Sequence, residues 1–391
     1  MRQLKKHQFP GTSIFILLVI FLWCGPLSGL SQDAPLAITH GPYLQNPSPN
    51  GMTIIWFTSR ECVSQVDFGE GGSLDRVART SRHGLFAAYS TQHQVRLEGL
   101  EPGKTYSYRV VSKEFLQFEP YDVQYGDSIS SELNDFRTLD RARQEYSFIV
   151  INDVHERADE LDRKLQRLDW QGIDLVFLNG DIINHFEHEN QIFEGFLDVC
   201  VDRFAREVPF VWIRGNHETR GLLARALPEF VDTPGGLFYY TLQHGPVQFV
   251  ILDSGEDKPD THEVYAGLVD FDAYRDEQAA WLQNVGRDRV FKKAPFKIVI
   301  FHIPPFGGND WYGELYLRDS WGPVLERAKT DLLVCAHTHR FKYLEPEKGQ
   351  HGYPVLVGGK DTVIRADVSG KRVAITVFDA DGQVIHTMSL D

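Results

Sequence analysis

Cysteine is scarce in this chain: four in 391 residues, at Cys24, Cys62, Cys200 and Cys335. One lies near the N-terminus and the other three are far apart and odd in number, which excludes a disulfide framework. Positive charge is also short. Lys and Arg number 40 against 54 Asp and Glu, a formal net charge of −14. That balance argues against nucleic acid or an anionic membrane surface as a non-specific partner, since both want a basic face. No internal repeat and no low-complexity tract is present, so solenoid and disordered classes drop out. The only long apolar run, Ile14 to Trp23, is too short to span a bilayer comfortably.

That run has the form of a targeting segment. Arg2, Lys5 and Lys6 precede it, and small residues Gly29 and Ser31 stand three and one before a cut ahead of Gln32. Residues 1–31 are therefore expected to be a signal peptide, making the mature protein exported, periplasmic or secreted, with no transmembrane segment. Removing its three cations takes the net charge from −14 to −17. Lipidation at Cys24 is disfavoured by bulky Trp23 before it, and an uncleaved anchor is the remaining alternative.

What the chain does have is five short polar islands, each at the end of an apolar run. They are Asp153-Val154-His155, Gly180-Asp181, Gly215-Asn216-His217-Glu218, His302, and His337-Thr338-His339. The runs before them, Tyr146–Ile151, Asp174–Leu178, Pro209–Ile213, Phe296–Phe301 and Asp331–Cys335, read as buried strands. In an open α/β sheet ligands bind beyond the carboxyl ends of strands, so the islands should meet in one crevice. Spacings of 28 residues from Asp153 to Asp181 and 35 from Asp181 to Asn216 each fit one strand-helix-strand unit. Helices are expected over 157–168, 190–206 and 274–285, and a second sheet is expected from the strand-rich stretch 353–390.

Asp, Asn and His are hard and borderline ligands, and here there are enough for two ions. Two ions in one site activate a hydroxide and clamp an in-line displacement at phosphorus. An anionic substrate on an acidic protein needs such local positive charge. Asp181, with two carboxylate oxygens beside Gly180, is the natural bridge. His217 adjoins Asn216 and suits proton transfer to a leaving oxygen. Cys335 reads as a buried small residue rather than a ligand. His185 and His188 could reach substrate but read first as solvated loop residues; Arg220 and Arg340 could pair a phosphate but read first as surface arginines. Glu218 either orients a ligand or begins a helix. The loop Gly307–Tyr312 could overhang the crevice or simply pack.

Residues 36–139 read instead as all-β, with runs such as Thr53–Phe57, Ser64–Phe68 and Gln92–Leu97 between turn signals. Tyr106 after the turn Glu101–Lys104 has the tyrosine-corner pattern, and Trp56 is the expected core aromatic. The segment resembles a fibronectin type III-like module, and Gly41–Gln45 resembles the opening strand of the module found in secreted purple acid phosphatase-like enzymes.

The ordered set D-x-H, GD, GNHE, V-x-x-H (Val299–His302) and H-x-H resembles the calcineurin-like metallophosphoesterase superfamily, in its purple acid phosphatase-like branch. The likeness covers essentially the whole chain after the leader. It implies an N-terminal immunoglobulin/fibronectin III-like β-sandwich (32–140) followed by a four-layer α/β domain (141–391) of two packed mixed sheets flanked by helices. It also implies an enzyme of phosphate esters with two divalent or trivalent metal ions (Fe, Mn or Zn). One ion would take Asp153, His155, Asp181 and His339; the other Asp181, Asn216, His302 and His337; His217 would be the catalytic histidine. Phosphomonoester hydrolysis is favoured, with a phosphodiesterase as alternative and a non-catalytic metal-bound adhesion module behind both. Two departures stand out. Where the purple enzymes carry an iron-binding Tyr this chain has Asn184, and His155 replaces a Gly, which implies a colourless enzyme. Ala336 replaces the Gly before H-x-H.

Overall fold

In the computed structural model, which describes residues 34–391, the N-terminal third is built on β1 (Ile38–Ser48) and one 20-residue strand, β2 (Gly51–Glu70). The expected signal peptide lies outside the described residues. The first half of β2 pairs with β1 on one side and β6 (Ser90–Glu98) on the other. Beyond an irregular stretch at 58–61, its second half pairs with β3 (Arg76–Ala78) and β7 (Thr105–Glu119). One strand thus serves both layers of a sandwich, as strands that switch sheets at a bend do. A separate hairpin, β4 (Ser81–Arg82) and β5 (Leu85–Phe86), lies between β3 and β6, while β8 (Asp122–Ser130) and β9 (Asn134–Arg137) pair with β7. Met52, Ile54, Trp56, Val66, Phe68, Val95, Leu97, Tyr108 and Phe136 pack between the layers.

The sandwich signals materialise. The Tyr106 hydroxyl accepts the Glu101 N–H at 3.0 Å, closing a tyrosine corner. Buried Trp56 donates Nε1–H to Ser112 Oγ at 2.9 Å, which satisfies its one polar atom.

Two six-stranded sheets follow. The first runs β12 (Phe210–Ile213), β11 (Ile173–Asn179), β10 (Glu145–Ile151), β19 (Val363–Ser369), β20 (Arg372–Phe378), β21 (Val384–Leu390). The second runs β13 (Tyr240–His244), β14 (Val247–Ile251), β15 (Phe296–Ile300), β16 (Leu332–Cys335), β18 (Val355–Val357), β17 (Lys342–Leu344). Alternate residues face opposite sides. Phe148, Val150, Leu175, Phe177, Phe249, Ile251, Ile298, Ile300 and Val334 interdigitate between the sheets. On the outer face of the first sheet, Ile149, Ile151, Val176 and Leu178 meet the helix Ala158–Leu165 and the helical segment 190–205. On the outer face of the second, Val299, Leu333 and Val355 meet helices Phe271–Val285, Tyr312–Ser320 and Gly322–Ala328. The four-layer α/β arrangement is the expected one. One expectation is corrected: β19–β21 do not start a second sheet but extend the first, because β19 pairs antiparallel with β10. The second sheet begins earlier, with the β13–β14 hairpin.

Sandwich and α/β layers share a core, since Tyr43, Ile55 and Phe57 join the helices over the first sheet. The Tyr43 hydroxyl donates to Phe230 O at 2.8 Å and Gln45 Nε2 to Phe210 O at 3.1 Å. Among the described residues no helix is long and apolar enough to cross a membrane.

Candidate metal centre

Strands β10, β11 and β12 are mutually parallel, and so are β14, β15, β16 and β18. Their carboxyl ends therefore open on one side, and the five islands emerge there. Backbone geometry tightens the convergence. Asp153, His155, Asp181, His337 and His339 all adopt left-handed φ values between 50° and 71°. Non-glycine residues carry such strain where surrounding structure over-determines them, commonly at functional sites. Gly180 is needed for a related reason. Its φ is 77°, and a Cβ there would sit 2.6 Å from His302 Cγ.

Two overlapping clusters result. Asp153, His155, Asp181 and His339 each offer a ligand atom within 4.8 Å of the others, and so do Asp181, His302 and His337. Asp181 belongs to both. Asn216 joins the second cluster through its Oδ1, 3.0 Å from His337 Nδ1. His302 Nε2 lies 3.0 Å from Asp181 Oδ2, His155 Nε2 lies 3.9 Å from the same oxygen, and His339 Nε2 lies 3.6 Å from Asp153 Oδ1. The structure thus brings all seven sequence-derived ligand candidates together.

The donor chemistry fits metal ions. Buried Asp153 Oδ1 has no hydrogen-bond partner and faces the His302 imidazole at 4.0 Å; His302 Nε2 has the Asp181 carboxylate 3.0 Å away as an ion-pair contact but makes no directed hydrogen bond. Asn179 O accepts from His302 Nδ1–H at 2.8 Å, which leaves Nε2 aimed at the carboxylates. His155 Nδ1 contacts Asn184 Oδ1 at 3.1 Å, and its Nε2 stands 3.0 Å from His339 Nε2. With Nδ1–H of His155 given to Asn184 Oδ1, its Nε2 is a bare acceptor beside His339 Nε2, the form in which an imidazole ligates a metal ion. Burial holds His155 down at about 4, His337 at about 3, and His339 also below its ordinary range. Neutral imidazoles are the form a metal takes. His302 is the exception: burial opposes its charge, but Asp181 and Asp153 override that and lift it to about 10. Asp153 is raised to about 7 by burial and by Asp181. Asp181 itself lies well below the carboxylate range, since His302 and His217 outweigh its burial.

His217 takes a different position. It opens the 3₁₀ turn His217–Thr219. Its N–H donates to Asp181 Oδ1 at 3.0 Å, and Nδ1–H donates to Asn184 O at 2.6 Å. Nε2 then faces the crevice, 3.9 Å from Asp181 Oδ2.

Supporting residues were only partly foreseen. Glu218 orients rather than merely starting a turn: its buried carboxylate accepts N–H groups of Asp181 at 3.0 Å, Ile182 at 2.7 Å, Ile183 at 3.2 Å and Gly215 at 2.8 Å. Burial and Asp181 raise it to about 7. Asn184, read in the sequence only as a missing tyrosine, contacts His155 through its side chain and His217 through its carbonyl. Asn152 Nδ2 donates to Asp153 Oδ2 at 2.7 Å; its place directly before the first island was the available signal. Arg220 is no free surface arginine but pairs with buried Glu256 at 2.7 Å. Arg340, His185 and His188 are exposed as expected, and Cys335 is buried. Half-exposed Trp311 lies edge-on to His337, centroids 5.9 Å apart, on the loop that follows His302.

Comparison with known proteins agrees with this geometry. Residues 146–341 match the family model for calcineurin-like phosphoesterase, and residues 41–138 match that for the purple acid phosphatase N-terminal domain. Acid phosphatase type 7 of Mus musculus is 25% identical over 341 residues, covering 78% of this chain and 70% of that protein. Purple acid phosphatase 21 of Arabidopsis thaliana is 22% identical over 268 residues, 65% of this chain but only 53% of its own length. The chain therefore spans about half of that plant relative. Among solved structures, purple acid phosphatase PPD1 of yellow lupin superposes with a TM-score of 0.65 at 15% identity, over 89% of this chain and 73% of that one. The structure of PhoD superposes at 0.61 and 13% identity, over 91% and 94%. At such identities these two speak for the fold.

Proposed function

Because this chain belongs to the calcineurin-like phosphoesterase family, a family of metal-dependent phosphoesterases, we propose that it hydrolyses phosphomonoesters at a dinuclear metal centre and acts outside the cytoplasm. The observation that carries this reading is Asp181, shared by two ligand clusters at the mouth of parallel strands. We assign one ion to Asp153, His155, Asp181 and His339, and the other to Asp181, Asn216, His302 and His337. When bound, such a pair supplies a hydroxide at neutral pH and neutralises phosphate charge. The protein's own contribution is positional. Glu218 fixes the Asp181 loop, Asn184 fixes His155 and His217, and the buried floor of Asp153 and His302 excludes water.

His217 is assigned to the leaving oxygen. With Nδ1–H committed to Asn184 O, only Nε2 can exchange a proton or hydrogen bond with substrate. Domain limits of 32–140 and 141–391, a cleaved leader over 1–31 and export belong to the same reading. The diesterase alternative shares every one of these residues, so fold alone does not separate the two.

The test is elemental analysis of natively purified protein, then turnover of a chromogenic phosphomonoester and phosphodiester with Mn, Zn or Fe. A metal-loaded, folded protein that turns over neither would defeat the enzymatic assignment. A visible phenolate-to-iron band in the holoprotein would refute the role given to His155 and Asn184 in place of tyrosine.

A further inference from the structure

Arg220 is held as a surface arginine is not. Its Nε and Nη2 each reach the Glu256 carboxylate at 2.7 Å, on separate oxygens. Glu256 is buried and accepts three further hydrogen bonds, from Thr219 Oγ1 at 2.9 Å, the Tyr265 hydroxyl at 3.0 Å and the Asp257 N–H at 3.4 Å. Asp257 adds a second carboxylate 3.7 Å from Nη2, and Lys258 pairs with that carboxylate at 2.8 Å. A bidentate pair of this kind fixes the guanidinium plane. Only the Nη1 end is left to face the crevice, and it stands 3.4 Å from His217 Nε2. Since His217 Nδ1–H is given to Asn184 O, Nε2 accepts from Nη1. A pinned cationic donor and the histidine that adjoins the ligand clusters therefore converge on one point.

We propose that Arg220 is a substrate-binding residue that selects phosphomonoesters by donating from Nη1 to a terminal phosphate oxygen. The proposal rests on the phosphoesterase reading above and narrows its substrate. A monoester has three terminal oxygens; a diester has two, plus a spectator ester oxygen. When two terminal oxygens turn toward the ligand clusters and the leaving oxygen lies at His217 Nε2, the remaining position falls to Arg220 Nη1. In a monoester it holds an anionic acceptor. In a diester it holds a weak acceptor carrying a carbon substituent, directed at the guanidinium. Glu256 and Asp257 balance Arg220 and Lys258 in charge, so the selectivity comes from one directed hydrogen bond to an anion rather than from long-range attraction. The competing account is that Arg220 only ties the His217 turn to the Glu256 loop, and that account predicts equal losses for both esters.

The experiment compares wild type, Arg220→Gln and Arg220→Lys as full, metal-loaded chains. It measures kcat/KM for 4-nitrophenyl phosphate and bis(4-nitrophenyl) phosphate, and inorganic phosphate affinity by calorimetry. Loss of a hydrogen bond to a charged group should lower monoester kcat/KM and phosphate affinity about 10- to 100-fold in Arg220→Gln. Diester turnover should fall too, through the lost Nη1–His217 contact, but by clearly less than monoester turnover, and Arg220→Lys should fall between. Equal losses for the two esters, or unchanged phosphate affinity in both variants, overturns the proposal. If wild type turns over neither ester, that failure belongs to the functional assignment, and phosphate calorimetry alone decides Arg220. If Arg220→Gln does not fold, Arg220→Lys decides: weaker phosphate binding with a larger loss for the monoester than for the diester supports the proposal, and any other result overturns it.

Discussion

The sandwich and the α/β crevice bury polar groups in opposite ways. In the sandwich they have partners, either within it, as Trp56 with Ser112, Tyr106 with Glu101 and His93 with Thr58, or across to the α/β layers, as Tyr43 with Phe230. Among the described residues, all ten buried side-chain nitrogen and oxygen atoms without a partner lie at position 152 or later. Five of them sit on Asn152, Asp153, Asn179 and His302, at the floor of the crevice. Left-handed backbone at non-glycine residues occurs in both regions, but in the crevice it falls on five of the seven ligand candidates. An unmet buried polar atom costs about 1–3 kcal/mol, which a region selected for stability alone would not accumulate. The sandwich is built to be satisfied, and the crevice is built to be completed by something else.

If that contrast is right, the largest effect of any single change should come at the shared carboxylate. Asp181→Asn keeps the shape and one acceptor but removes the charge that both clusters share. Turnover should fall more than about a thousandfold, with metal content reduced and circular dichroism unchanged. An active Asp181→Asn enzyme with full metal content would break the comparison at its centre.

Trp56→Ala makes the opposite demand. It empties the middle of the sandwich core and should cost about 3–5 kcal/mol of stability, read as a lower midpoint of thermal or urea unfolding. Below that midpoint kcat should match wild type. A kcat defect with intact folding would mean that the sandwich reaches into the chemistry. Glu218→Gln comes next. It weakens four backbone contacts behind Asp181, and changes of this kind typically cost about 10–100-fold in metal affinity or activity. Normal metal content and turnover would reduce Glu218 to a structural cap.

The islands were legible in sequence because their signal is local: a ligand residue one to four positions past an apolar run needs no knowledge of the fold. Trp56 and the Tyr106 corner were legible for the same reason. What escaped notice depends on long-range pairing. Glu256 lies 36 residues beyond Arg220, and nothing near either marks the bond. Asn184 looked like an absence because its work is done by a side chain and a carbonyl on two other loops. The alternating pattern of the C-terminal strands says which face is buried, not which edge is free, so it does not assign them to the first sheet. Glu218 could be narrowed to two roles, and only its four backbone donors chose between them.

The smallest expected effect tests the sandwich on its own terms, through pH. His93 is buried against Trp56, ring centroids 5.2 Å apart. The Thr58 hydroxyl donates to Arg60 O at 2.8 Å, so its oxygen is free to accept from His93 Nε2–H, also at 2.8 Å. Burial alone holds His93 down at about 4. In the unfolded chain the same ring titrates near its ordinary value of about 6.5. Between those two values the unfolded state binds a proton that the folded state refuses, so stability rises with pH there. The contribution is complete above about pH 6.5 and is lost as pH falls toward 4, on the order of 3 kcal/mol. His93→Gln places an amide N–H near Thr58 and cannot titrate. Urea unfolding at pH 7, 5.5 and 4 should therefore show a shallower acid loss for the variant than for wild type. Parallel curves would mean that His93 keeps solvent access in the fold, and the sandwich would lose its standing as the fully satisfied half of the molecule.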